Sequence, residues 1–363
     1  MLNPLLIVLT TVLVLVVMHV VDDALQLIRE RTGQPMAHDM RWSRRIVRAI
    51  LIVVVAQLVM PRSWFEPTPP QAALFGPDSL WLGADTTRLI HLDRDQRELV
   101  RYGRELVVNT SRYIGPHGTV MQNTNALNCQ SCHLDAGTKP WGNNYGAVWS
   151  TYPKFRARSG ATETVAKRVN DCVERSLNGT ALDSTGREMR AILAYLEWLG
   201  SGIARGQRPK GSGIAELPFM DRPADPERGR SVFEAKCVSC HGADGQGLLQ
   251  DDGLTYQYPP LWGPLSYNSG AGLYRLSRFA GYVKNNMPQG VTHEAPQLSD
   301  EEAWDVAAYV NAQTHPGADL SNDWPDIRLK PVDHPFGPFT DTFPETQHKF
   351  GPFGPIAAQY KKP

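Results

Sequence analysis

The chain has 363 residues, enough for two ordinary domains with additional segments, and its 37 basic and 37 acidic side chains cancel to a formal net charge of zero. That balance argues against nucleic acid as a partner, since a phosphate backbone calls for a surplus of Lys and Arg. Charged residues make up only 20%, and the 31 Gly and 28 Pro demand long stretches of turn and loop.

Residues 4–21, PLLIVLTTVLVLVVMHVV, carry no formal charge and would span about 27 Å as a helix at ~1.5 Å per residue. A second apolar run, 46–60, holds a single arginine, Arg48, which can snorkel at one end while Trp64 and Phe65 anchor the other. Between them lie Arg29, Arg31, Arg41, Arg44 and Arg45, so the positive-inside rule predicts a cytoplasmic loop over 22–45 with both flanks outside. The expectation is a membrane hairpin anchor over 1–61. A cleaved signal peptide fits less well, because neither a basic n-region nor a small-x-small site near residue 60 is evident. Residues 62–92 are Pro-rich and read as a tether.

From residue 93 the pattern turns helical. DRDQRELVRYGRELVVNTSRYI (93–114) sets Leu99, Val100, Leu106, Val107 and Ile114 at helical spacing. TETVAKRVNDCVERSLNG (162–179) is an amphipathic helix closed by Asn178-Gly179, residues suited to a left-handed cap. DSTGREMRAILAYLEWLG (183–200) starts on Asp183 or Ser184 and buries Ile192, Leu193, Leu196 and Leu199. Residues 204–224 are a linker by composition. The pattern then restarts with helices in 225–242, 272–288 and 298–313, the last opening on Ser299 and three acidic residues, a capping-box start. The fold class expected is mainly α, with two helical domains in tandem (93–203 and 225–315) that duplicate one architecture. The tail, 316–363, reads as an extended strap whose phenylalanines pack on both domains.

Each domain carries one CxxCH string: Cys129, Cys132 and His133 in the first, Cys237, Cys240 and His241 in the second. This is the attachment string of haem c, in which two thioethers hold the porphyrin and the histidine ligates iron. A zinc ribbon would leave both histidines idle and wants a far shorter spacing, and a redox dithiol would sit in a βαβ setting. Two covalently bound haem c groups in cytochrome c-like domains are therefore expected. Their attachment outside the cytoplasm agrees with haem domains in a bacterial periplasm, anchored in the inner membrane.

Met287 lies 287 − 241 = 46 residues after His241 and precedes Pro288, a position suited to the sixth ligand of the second iron. Filling a core gap is the alternative use of such a methionine. In the first domain no Met-Pro follows, and Met189 falls where packing explains it. Cys172 follows instead, 172 − 133 = 39 residues after His133, and the other four cysteines belong to the haem strings. A buried inert thiol is the plain reading. Arg156, Arg158, Arg168 and Arg175 are close in sequence, however, and cations favour a thiolate, which on haem iron lowers the potential. Cys172 is expected as the distal ligand of the first haem. The arginines also suit oxyanions, although a helix-surface arginine is more often merely solvated.

With these strings in view, residues 90–355 resemble the dihaem thiosulfate dehydrogenase (tetrathionate synthase) family. The resemblance rests on RYGRELVVNTSRYIGPHGTV, NCQSCHLDAGT, STYPKFRARSG, the Asn-Asp-Cys helix, NNMPQG and QHKFGPFGPI. It implies His133/Cys172 ligation at an active-site haem and His241/Met287 ligation at an electron-exit haem. It further implies that Cys172 is catalytic and that Arg158, Arg168 and Ser176 hold the substrate's sulfonate oxygens. The implied enzyme couples two thiosulfate into tetrathionate, or runs backwards as a tetrathionate reductase. Its electron partner would be a small cytochrome c, a high-potential carrier or a quinone-linked complex. Asn286 stands where some members have lysine, so ligation without exchange is expected. Two rival readings are a membrane-anchored dihaem electron carrier without substrate chemistry, and a thiol-ligated subunit acting on a partner protein's cysteine.

Overall fold

Several helix starts in this chain are set by side chains that take up the orphan N–H groups of a first turn. The computed structural model describes residues 75–360 and, nearer the start, residues 19–20, 23–24, 26–28 and 30–31. In it Asp93, Thr164, Asp225 and Ser299 each cap a helix. Among α-helices of five residues or more, the first domain contains α1 (Arg94–Val108), α2 (Thr110–Ile114), α3 (Val165–Arg175) and α4 (Arg187–Gly200). The second contains α5 (Pro226–Lys236), α6 (Leu276–Asn286) and α7 (Asp300–Ala312), and the tail α8 (Glu345–Phe350) and α9 (Phe353–Tyr360). The described residues also hold two small antiparallel hairpins, β1 (Lys154–Arg156) with β2 (Ala161–Glu163) and β3 (Leu248–Leu249) with β4 (Tyr256–Tyr258), and helical turns such as the 3-10 helix Thr86–His91.

The duplication is visible at one contact in each domain. A Cβ on Gly103 of α1 would lie 1.9 Å from the Ala191 carbonyl oxygen of α4, with Tyr195 alongside. A Cβ on Gly229 of α5 would lie 1.9 Å from the Asp305 carbonyl oxygen of α7, with Tyr309 alongside. Only glycine lets two helix backbones approach so closely, so the same crossing is built twice from different letters. Leu106, Val107, Ile114, Met189, Tyr195, Leu196 and Leu199 close the first core. Phe233, Leu276, Phe279, Trp304, Val306, Val310, Phe353 and Ile356 close the second. Met189, 0% exposed, is a packing residue as expected.

Several boundaries differ from the sequence reading. The helix expected over 93–114 breaks at Asn109, and Thr110 Oγ1 donates to the Leu106 carbonyl. Neither Asp183 nor Ser184 caps α4: Asp183 instead accepts from the Thr185 N–H in the preceding turn, and Gly186 occupies the cap position. Asn178 does adopt the left-handed conformation, φ +50°. From residue 75 the segment read as a tether belongs to the first domain: Phe75 bridges to Ile203, Leu80 to Lys210, and Trp81 is fully buried. The linker is docked too, its Gly211 and Gly213 carbonyls accepting from the Trp141 and Asn143 N–H groups. The tail is partly helical, and its Phe343, Phe350 and Phe353 pack on the second core, not on both. It meets the first domain through Asp323, Trp324 and Pro325.

The apolar runs 4–21 and 46–60 lie outside the described residues, apart from positions 19 and 20. Described positions between 19 and 31 are helical and exposed, so the segment read as a cytoplasmic loop begins as helix. No helix among the described residues is long and apolar enough to cross a membrane.

Candidate active site and haem cavities

The position of α3 follows from the residues around its cysteine. Asn170 donates to the Leu182 carbonyl and accepts from the Leu182 N–H, both at 2.9 Å, which fixes the rotation of the helix. Asp171, buried, pairs with Lys167 and lies 4.0 Å from Arg168. Arg168, Cys172 and the helix-ending Ser176 then recur every four residues, on one face. All three line a cavity of 420 Å³ whose wall also holds Cys129, Cys132 and His133. The sulfur named as a ligand and the first haem string thus share one chamber.

His133 donates from Nδ1 to the Asn143 carbonyl at 2.5 Å, and His241 from Nδ1 to the Pro259 carbonyl at 2.9 Å. A carbonyl only accepts, so each proton is held on Nδ1 and each Nε2 keeps its lone pair for a metal. Burial pushes the His133 pKa down to about 4 and lowers that of His241, which keeps both rings neutral. Tyr145 stacks on His133, ring centroids 4.4 Å apart.

The second cavity, 330 Å³, is lined by Cys237, Cys240, His241 and Met287. Met287 is the C-cap of α6 and donates its N–H to the Val283 carbonyl at 2.9 Å, placing the side chain where the helix stops. Cys132, Leu127, Asn128, Tyr267 and Leu273 line both cavities, and Tyr282 of α6 donates to the Ser131 carbonyl inside the first haem string. The chambers are therefore contiguous. Asn286 donates its amide to the Trp141 and Tyr282 carbonyls, which ties the Met287 loop to the first domain.

The first cavity is cationic. Lys154, Arg156, Arg158 and Arg168 line it from the first domain, Arg208 from the linker, and Arg275 and Arg278 from the second domain, against one carboxylate, Glu188. The β-pleat sends Lys154 and Arg156 to the same side while Phe155 between them is exposed. Arg156, Arg158, Arg275 and Arg278 pair with Glu163, Asp323, Asp333 and Glu216. Lys154 and Arg208 pair with no carboxylate among the described residues. Burial, then the neighbouring Arg156, Arg208 and Arg168, hold Lys154 down to about 8. The Cys172 sulfur beside Arg168 raises the pKa of that guanidinium.

Arg175 does not reach this cavity. It makes a two-pronged contact with Asp323, 2.7 and 2.9 Å, and so serves the tail, not the cysteine. Sequence reading missed Lys154, Arg208, Arg275, Arg278, Asp323 and Trp324. For Lys154 the strand Lys-Phe-Arg is too short for its alternation to be read. For the others no local pattern exists, since they come from remote segments.

Each haem string lies in a segment that matches a known cytochrome c domain. Residues 119–204 match the SoxA/TsdA cytochrome c domain and residues 226–314 the cytochrome c domain. The thiosulfate dehydrogenase of Allochromatium vinosum is 42% identical over 196 residues, 53% of this chain and 70% of that protein. The chain belongs to the thiosulfate dehydrogenase family.

The thiosulfate dehydrogenase of Psychrobacter arcticus is 40% identical over 205 residues, 56% of this chain and 61% of its own length. The solved thiosulfate dehydrogenase (TsdBA) of Marichromatium purpuratum superposes with a TM-score of 0.55 at 33% identity, covering 61% of this chain and 48% of that one. Family membership makes this a protein with two haem c groups, one per cytochrome c domain. The residues fit them: each cavity brings together two attachment cysteines and a histidine whose Nε2 is free to bind iron.

Proposed function

We propose that the protein couples two thiosulfate ions into tetrathionate and releases two electrons. The observation that carries this reading is an unpaired sulfur, Cys172, on the wall of the first haem cavity among cations. His133 and Cys172 would hold the first iron, His241 and Met287 the second. When bound, the haems supply one-electron acceptors, the first tuned to low potential by a thiolate and the second to higher potential by a thioether.

Both reactants are dianions, so their meeting is opposed by charge. Arg158, Arg168 and Lys154 offset that repulsion, and Ser176 offers a hydroxyl to the sulfonate. The Cys172 thiolate bonds to the sulfane sulfur of one thiosulfate with loss of two electrons, giving a cysteine S-thiosulfonate. The sulfane sulfur of a second thiosulfate attacks that adduct, tetrathionate leaves, and Cys172 is regenerated as thiolate. No proton is transferred in either step, which fits a cavity wall whose charged groups are mostly cations. The same steps reversed reduce tetrathionate. The shared wall at Cys132 and Tyr267 supports electron exit through the second domain to an external acceptor. Haem c attachment and the composition of residues 1–61 support a membrane-anchored protein with its haem domains in the periplasm.

The test uses purified dihaem protein, thiosulfate and ferricyanide. One tetrathionate should form for every two ferricyanide reduced. Failure of thiosulfate to reduce the protein, while a chemical reductant does, would leave only an electron carrier.

A further inference from the structure

Trp324 belongs to the tail yet lines the first cavity. It is 9% exposed, and its indole N–H is buried without an acceptor. A buried donor left unpaired is costly enough that native proteins rarely keep one without a ligand or water to satisfy it. The backbone adds a second sign: Trp324 has φ +61°, a conformation unfavourable for a bulky side chain and concentrated at functional sites. Neighbouring contacts hold it there. Its backbone N–H donates to the Arg158 carbonyl at 2.7 Å, its ring lies 5.7 Å from the Arg158 guanidinium carbon, and Pro325 seats against Gly160, where a Cβ would come within 2.6 Å. Asp323, the preceding residue, bridges Arg175 at 2.7 Å and Arg158 at 3.3 Å. Arg158 also donates to the Gly270 carbonyl, so the guanidinium is fixed on three sides.

We propose that the tail completes the substrate site, with the Trp324 indole N–H donating to a sulfonate oxygen of thiosulfate beside Arg158, and Asp323 acting as the positioning residue for that arginine. This rests on the thiosulfate-oxidising reading above and adds a donor to it. An N–H fixed in advance toward an oxyanion needs no reorganisation when the charge arrives, and its neutral character lets it sit next to a guanidinium without adding repulsion. A haem propionate is the other anion such a cavity can present to the same donor, and the test separates the two.

Trp324→Phe keeps an aromatic ring and removes the N–H. In the purified dihaem protein KM for thiosulfate should rise about tenfold, the scale of one lost hydrogen bond to a charged group. The absorption spectrum and potential of the first haem should not move. Asp323→Asn, which keeps the shape of the bridge and removes its charge, should raise KM in the same sense. An unchanged KM in Trp324→Phe, with wild-type turnover of thiosulfate intact, overturns the inference and leaves the functional reading standing. A shift in the first-haem potential, with or without a change in KM, makes propionate the acceptor and overturns it as well. If wild-type protein does not oxidise thiosulfate, the functional reading fails and this inference falls with it.

Discussion

Lys154 is the cation of the first cavity whose charge is most easily removed. Burial disfavours its charged form, Arg156, Arg208 and Arg168 repel its proton, Glu163 opposes them, and Tyr152 covers its ammonium at 4.6 Å. Its pKa, about 8, lies below the usual lysine value, so the side chain is cationic at lower pH and loses charge as pH rises through that value. Thiosulfate should therefore bind more weakly above about pH 8, and Lys154→Gln should show a raised KM that no longer depends on pH in that range. A steady-state pH profile of both proteins checks this. At this scale the sequence was legible where cavity-lining residues are local: the two CxxCH strings, Cys172 with Arg168, and Met287 before Pro288 are spacings on a single segment. Arg175, read as one of several cations near Cys172, is held by Asp323, 148 residues away, a partner that sequence proximity cannot show.

Helices are the elements that sequence reading found best, because capping and period 3.6 are carried by contiguous residues. Ser299 and Glu302 form the expected reciprocal cap of α7. The β1–β2 hairpin was not foreseen, since three-residue strands are too short for alternation to register, yet it aims Lys154 and Arg156 into the site. The glycine crossings are the elements' weak points. Gly229→Ala would put a methyl 1.9 Å from a backbone oxygen that cannot step aside, so α5 and α7 must separate. Overpacking of this kind costs about 1–3 kcal/mol, to be read by denaturant unfolding of the dihaem protein, and Gly103→Ala should do the same to α1 and α4. An unchanged midpoint would mean that the crossing is more pliant than its geometry indicates.

At the scale of the whole molecule the first cavity is assembled from segments that sequence reading had kept apart. The linker supplies Arg208, the second domain Arg275 and Arg278, and the tail Trp324. None could be read in advance, because each becomes a site residue only when the domains dock. On the proposed reading the two halves have separate roles. Met287→Ala should lower the potential of the second haem and slow transfer to a high-potential acceptor, since methionine ligation raises a haem potential. KM for thiosulfate should be unaffected, because Met287 does not line the first cavity. Potentiometry with steady-state kinetics distinguishes this from a general loss of structure.

The chemistry turns on whether the fifth cysteine bonds to substrate. Cys172→Ala removes one sulfur and leaves both CxxCH strings, so haem content should remain at two per chain. Turnover of thiosulfate should then fall by about a thousandfold or more, as for loss of a covalent nucleophile. Wild-type turnover in a Cys172→Ala protein carrying both haems would contradict it.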